Sequence, residues 1–328
     1  MNPTPTPPVI QILIPTYNVE RYLHELFESL SAQTYEHWQA IFVNDASTDS
    51  SGEILDKWAN QDARIRVIHL TQNRGVSHAR NVALGEVTAP FFCFVDSDDR
   101  LHPQHLELML QRAEETGADL VQTGIVFFDD LTDKTKTPPM VFGRSTFSSK
   151  RLLTQMCFDR RVGSFLWQFL YRSATFCNLP TFPIGHNYED IRVIPTWIER
   201  ASLIASTGFS TYYYRQVHNS IIHTKSIKNI QDHLEAIRVR SQYIATSPLF
   251  SGFARFLLRS VHRGICYQIL QSTLALPDGP EKAIVKQEAE QTLRSFGGFP
   301  HYGIPEKWVI KWHIVQRAIT ELLLFGSV

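Results

Sequence analysis

Residues 89–103 read APFFCFVDSDDRLHP, and five apolar residues, Phe91 to Val95, run directly into three carboxylates, Asp96, Asp98 and Asp99. A run this short, bounded by Pro90 and by charge, suits a strand buried on both faces rather than a helix. The same unit recurs upstream. "VIQILI" at 9–14 is ended by Pro15, "QAIFV" lies at 39–43 and "IRVIHL" at 65–70. Helical patterns separate them. Leu23, Leu26, Phe27 and Leu30 fall at i, i+3, i+4 and i+7, which is one helical face. "STDSSGEILDKWA" at 47–59 places Ser50 and Glu53 at capping-box spacing and continues a buried stripe through Ile54, Leu55 and Trp58. "GVSHARNVALG" at 75–85 is closed by Gly85, and Pro103 opens a helix that Gly117 ends before the strand "DLVQTGIVFF".

Five strands alternating with four helices predict an α/β domain: a mostly parallel sheet, helices on both faces, right-handed crossovers. Ligands in such sheets bind beyond the carboxyl ends of the strands. The loops expected there are "PTYN", "NDASTD", "NRG" and "DSDD", so Asp45, Asp49, Asp96, Asp98 and Asp99 should converge. Like charges brought together repel and raise one another's pKa, which calls for a hard cation, Mg²⁺ or Mn²⁺, bridging a diphosphate. Asp49 and Asp99 also stand where Asp caps a following helix.

Composition narrows the function class. With 43% hydrophobic and 20% charged residues, the 328-residue chain can bury a sizeable core. Its net charge of zero hides an asymmetry: residues 1–130 hold 8 Lys/Arg against 19 Asp/Glu, and the remainder 24 against 13. An acidic first half argues against a nucleic-acid binder, whereas the basic second half suits an anionic acceptor or membrane surface. Cys93, Cys157, Cys177 and Cys266 have no metal-site spacing. "MNPTPTPPVI" lacks the layout of a signal peptide and reads as a disordered leader over 1–8. No run approaches the ~20 apolar residues that a membrane span needs, so a cytoplasmic location is expected, with the inner face of the membrane as a surface it visits.

"PTYN", "VNDASTD", "NRGVSHARN", "FVDSDD" and "NYEDI" at 187–191 occur in this order and context, and together the chain resembles the family 2 glycosyltransferases of the GT-A fold. The resemblance implies a catalytic domain over 9–224, with a nucleotide-sugar half (9–130) and an acceptor half (131–224). It implies that Pro15, Tyr17 and Asn18 shape the nucleotide pocket, that Asp45 accepts a hydrogen bond from the base, typically uracil, and that Arg80 approaches the phosphate or base edge. Asp96 would hold the ribose and Asp98 a Mn²⁺ or Mg²⁺ ion. Asn44 and Ala46 stand where many relatives carry Asp and Gly. Asp190 would deprotonate the acceptor hydroxyl, giving inversion, and Glu189 would position the acceptor or Asp190. In "SFLWQFLYRS", Trp167 would lie beneath an acceptor sugar, or serve the core. In "YYYRQVHNS", Arg215 would close over the diphosphate, and His218 would be a further metal ligand or a surface residue. The implied activity is an inverting hexosyl transfer from a nucleotide diphosphate sugar, a UDP-sugar by expectation, to a cell-surface glycan such as lipopolysaccharide or capsule.

Beyond residue 225 only pattern is readable, and it is helical and basic. Trp308, Trp312, Val315, Ile319 and Leu322 mark an amphipathic helix that would pack, form a homodimer seam or lie on a membrane. A non-catalytic glycan-binding or scaffold protein on the same fold is the alternative. A dehalogenase-type phosphatase would want its D-x-D on the first strand, and a nucleotidyltransferase a Gly-rich loop after it; "PTYNVERYL" has no Gly.

Overall fold

The structure, a computed structural model, describes residues 9–129, 134–137, 142–157, 163–176, 181–216 and 226–296. The expected leader, His218 and the stripe from Trp308 to Leu322 lie outside the described residues. In chain order the first half gives β1 (Ile10–Thr16), α1 (Glu20–Ser31), β2 (Trp38–Asn44), α2 (Ser51–Gln61), β3 (Ile65–His69), α3 (Val76–Gly85), β4 (Phe91–Phe94), β5 (Arg100–Leu101), α4 (His105–Thr116) and β6 (Leu120–Asp129). There follow β7 (Thr135–Lys136), β8 (Thr146–Phe147), α5 (Ser149–Cys157), β9 (Phe169–Arg172), α6 (Ser173–Phe176), α7 (Glu189–Arg200) and β10 (Ile204–Gln216). Three helices, α8 (Ile227–Thr246), α9 (Gly252–Ser272) and α10 (Pro280–Ser295), complete the described chain.

The strands form one sheet in the order β3-β2-β1-β4-β9-β6-β10-β5, with β7 on β6 and β8 on β10, and helices cover both faces. β1 pairs in parallel with β2 and β4, β2 with β3, and β6 with β10. β9 inserts antiparallel between β4 and β6, which makes the sheet mixed. Four residues after a 3-10 turn (Leu166–Gln168) carry no alternation to read, so this strand, like β5, β7, β8 and β10, is not among the five that the sequence pattern announces.

Two local expectations change. Pro15 does not end β1 but lies inside it, opposite Val43. The Leu13 carbonyl accepts the Val95 N–H, so by alternation Pro15 faces the β4 side, past the last β1–β4 pair, where a missing N–H costs nothing. The capping box at Ser50 is not made either; its side chain caps nothing. The Asp49 carboxylate instead accepts N–H groups of Ser51 (3.0 Å) and Glu20 (3.1 Å), and Glu20 accepts the Ser50 N–H at 2.8 Å. Asp49 thus ties the starts of α1 and α2 together.

An aromatic cluster joins the sheet to α7. Phe92 stacks on Tyr171 at 4.9 Å, and Trp197 meets Tyr171 and Phe182 at 5.5 Å each. Val193, Ile194, Trp197 and Ile198 of α7 are buried in this main core, while Ile191 packs on a second cluster built by α8, α9 and α10. One helix therefore serves two cores. Trp197→Ala should lower unfolding free energy by about 3–5 kcal/mol, measured in urea, within a single transition; two resolved transitions would contradict the shared helix.

Candidate active site

The carboxyl end of β4 carries the "DSDD" loop, and β10 holds it from below. Asp99 turns inward and is fully buried. Its carboxylate accepts the Tyr212 hydroxyl and the Arg215 N–H, each at 2.7 Å, and the Tyr212 oxygen accepts the Asp96 N–H at 3.1 Å. Burial, then Asp98 and Asp96, push the Asp99 carboxyl well above the usual carboxylate range. Asp99 is therefore an anchor of the loop and not a helix cap. Arg215 completes the grip: its Nε donates to the Asp98 carbonyl at 2.5 Å and its Nη2 to Glu25 at 2.9 Å, with Tyr22 and Phe128 against the guanidinium. In the structure the head group, which the resemblance assigns to the diphosphate, is buried and engaged by the loop.

With Asp99 turned in, Asp96 and Asp98 are left half-buried at the site. Asp96 accepts Arg80 Nη2 at 2.8 Å, and Arg80 Nη1 pairs with Glu189. Arg80 comes from the inner face of α3 and is buried. Burial works against its charge, but Asp96 and Glu189 outweigh it and raise its pKa further. The resemblance implies a reach to a phosphate or base edge; in the structure this guanidinium bridges the DSDD loop and the start of α7. Glu189 faces Arg80, which leaves the first turn of α7 to Asp190, where the Ile191 N–H donates to its Oδ1 at 2.7 Å. Burial and the neighbouring Glu189 charge push the Asp190 carboxyl up to about 8, against the opposing pull of Arg80.

The first two loops are stapled together. Asn18, at φ 50°, donates its N–H to Ser47 Oγ (3.0 Å), and its Oδ1 accepts the Thr48 N–H (2.8 Å). Tyr17 is left 45% exposed beside this staple. Asp45 is 2% exposed, and its carboxylate accepts N–H groups of Arg74 (3.0 Å) and Gly75 (2.7 Å) at the start of α3. The carboxylate that the resemblance assigns to the base thus holds the start of a helix in the structure. Trp167, 3% exposed, stacks on Tyr212 (4.2 Å), Phe165 (4.5 Å) and Tyr214 (5.2 Å). Of its two expected roles the structure supports the core one, since no ring face is left for a sugar.

These pairings change the electrostatic argument for a cation. Asp45, Asp49, Asp96 and Asp99 each have protein donors, so their charge is answered internally. Among the described residues no group of three or more His, Cys, Asp or Glu is arranged to hold a metal. A hard ion of the Mg²⁺ type takes one or two protein carboxylates and fills its shell with phosphate and water oxygens, and Asp98, half-buried in the DSDD loop, is the residue that the resemblance assigns to it.

Sequence reasoning missed Asp99, Tyr212 and Glu25 as loop supports. The alternation in "YYYRQ" was the available signal, since it puts Tyr212 and Tyr214 on one face of β10. Removing the central cation tests the pairing. Arg80→Met should cost about 3–5 kcal/mol in denaturant unfolding, and the loss in the double variant Arg80→Met with Glu189→Gln should be smaller than the sum of the two single losses; additive losses would mean that the pair is not coupled.

Residues 11–175 match the profile described as glycosyl transferase family 2. The glycosyltransferase EpsJ of Bacillus subtilis, itself described as uncharacterized, is 28% identical over 297 residues, covering 87% of this chain and 83% of EpsJ. Glycosyltransferase GlyG of Streptococcus pneumoniae serotype 4 is 30% identical over 230 residues, 66% of this chain and 74% of GlyG. Among solved structures, S. aureus TarS 1–349 in complex with UDP-GlcNAc is similar with a TM-score of 0.71 at 19% identity, covering 97% of this chain and 92% of that one. The backbone is accordingly the GT-A fold that the motifs implied, and the chain belongs to glycosyltransferase family 2.

Proposed function

We propose that the protein transfers a sugar with inversion from a UDP-sugar to a hydroxyl of a cell-surface glycan, with Asp190 as the general base. The observation that carries this reading is the Arg80 bridge, which fastens Asp96 of the donor loop to Glu189, next to Asp190. The loop assigned to the donor and the turn that carries the base are thereby part of one bonded unit. Asp190 takes the proton of the acceptor hydroxyl; that oxygen bonds to the anomeric carbon as the bond to the diphosphate breaks on the opposite face. A base works best when its pKa lies near the working pH, and burial with a like charge alongside supplies that shift. Asp98 would hold the divalent ion, Mn²⁺ or Mg²⁺, with the donor's diphosphate. When bound, such an ion supplies Lewis-acid stabilisation of the leaving group.

The exposed Tyr17 ring and the loop carrying Asn18 offer the surface for a nucleobase and ribose. The basic balance of residues 131–328 suits an anionic envelope glycan such as lipopolysaccharide or capsule, reached at the inner face of the membrane. No described helix is long and apolar enough to cross one. The non-catalytic alternative has a specific weakness: a binder has no use for a carboxyl raised next to an arginine-held donor loop.

Asp190→Asn should lower transfer of labelled sugar from a panel of UDP-sugars to isolated envelope glycan by about 10²–10⁴-fold, with UDP affinity nearly unchanged; lost UDP binding would mean that Asp190 serves the donor. The sign of the pH effect follows from the base role. Only ionised Asp190 accepts a proton, so the wild-type rate should climb with pH and level off above about 8. A rate that falls over the same range would assign Asp190 an acid role.

A further inference from the structure

We infer that Asp232, on α8, is a positioning residue for the base: it locks the loop that delivers Glu189 and Asp190, so the helical region after β10 takes part in the chemical step. The inference rests on the reading of Asp190 as base. Asp232 is 6% exposed, and its carboxylate spans the loop: Oδ1 meets His186 Nδ1 at 3.0 Å and Oδ2 accepts the Asn187 N–H at 2.9 Å. Lys228, one turn earlier on α8, donates Nζ both to Asp232 Oδ2 and to the Gly185 carbonyl, each at 2.7 Å. Asn229 pairs with the side chain of Asn187, and His233 stacks on Tyr188 at 4.3 Å with the planes 13° apart. Thus every residue from Gly185 to Tyr188 has a partner on one face of α8.

The backbone explains why a lock is needed. Gly185 sits at φ 81° and Tyr188 at φ 58°, and left-handed geometry is costly for a bulky residue such as Tyr. Tyr188 is also the residue immediately before α7, so its dihedrals set where Glu189 and Asp190 enter the site. The tie continues beyond the loop, as Arg192 of α7 donates to the Asp232 carbonyl at 3.2 Å. A carboxylate is suited to this place because it accepts from a backbone N–H, an ammonium and an imidazole at once. An Asn there keeps the shape, loses the charge and must turn an NH₂ group toward one of those donors.

The test is Asp232→Asn in the full chain, read by amide hydrogen exchange, UDP affinity and transfer of the same labelled donor to the same envelope glycan, with Asp190→Asn alongside. Exchange over residues 185–191 should quicken while β1 and β4 stay protected. The transfer kcat should fall about tenfold or more, with UDP affinity and donor KM within about twofold of wild type. Unchanged exchange over 185–191 would overturn the inference, as would loosening of the whole sheet with kcat and UDP affinity lost together. The comparison separates the two readings. If Asp190→Asn transfers at the wild-type rate the base assignment fails by itself, and the exchange result still decides whether Asp232 locks the loop.

Discussion

The Arg80 guanidinium, buried between Asp96 and Glu189, is the interaction on which the rest of the site depends. A buried cation is tolerated only if its charge is answered, and a buried carboxylate likewise. Arg80 and Glu189 are therefore acceptable only because each has the other, with the half-buried Asp96 completing the balance. This constraint reaches across the fold, since Arg80 belongs to α3, Asp96 follows β4 and Glu189 starts α7. Neither the DSDD loop nor the first turn of α7 can move without uncovering a charge. Asp190 inherits its environment from this arrangement: it shares the buried turn with Glu189, and the cation that would relieve it is already engaged.

Around that centre, the crowded carboxylates separate into distinct jobs. Asp49 ties two helix starts, Asp45 holds the start of α3, and Asp99 anchors the donor loop to Tyr212 and Arg215 of β10. Their carboxyl groups are met by backbone N–H groups and a hydroxyl. A divalent ion is thus not required to keep the aspartates together, and its proposed place is narrower: at Asp98, with a diphosphate. Arg215 shows the same economy, since it supports the loop through the Asp98 carbonyl instead of reaching past it.

What was legible in the sequence is what is local. The apolar runs of β1 to β4 and β6, the i, i+3, i+4 stripe of α1 and Gly117, left-handed at φ 70° after α4, depend on neighbours in the chain, and their patterns survive into the structure. The order of the polar loops was legible for the same reason, because alternation of strand and helix sends them to one edge. Contacts between distant residues were not. Arg80 and Glu189 are 109 residues apart, Asp99 and Tyr212 113, and His186 and Asp232 46. No periodicity records such a pairing, so the roles of Arg80, Asp45, Trp167 and Arg215 were read from motif position alone, and each side chain turned out to be engaged by protein partners. β9 escaped for a related reason: Tyr171 packs on Phe92 and Trp197, which are distant in the chain, and its four residues carry no alternation to read.

The most direct test of the central claim, a nucleoside diphosphate site at the carboxyl edge of the sheet, is titration calorimetry of UDP into the full chain with and without Mn²⁺, repeated on Asp98→Ala. The account predicts one site, strengthened by Mn²⁺ in the wild type, with the Mn²⁺ dependence lost in Asp98→Ala. UDP binding that ignores both the ion and the substitution, or no binding of UDP under any of these conditions, would contradict it.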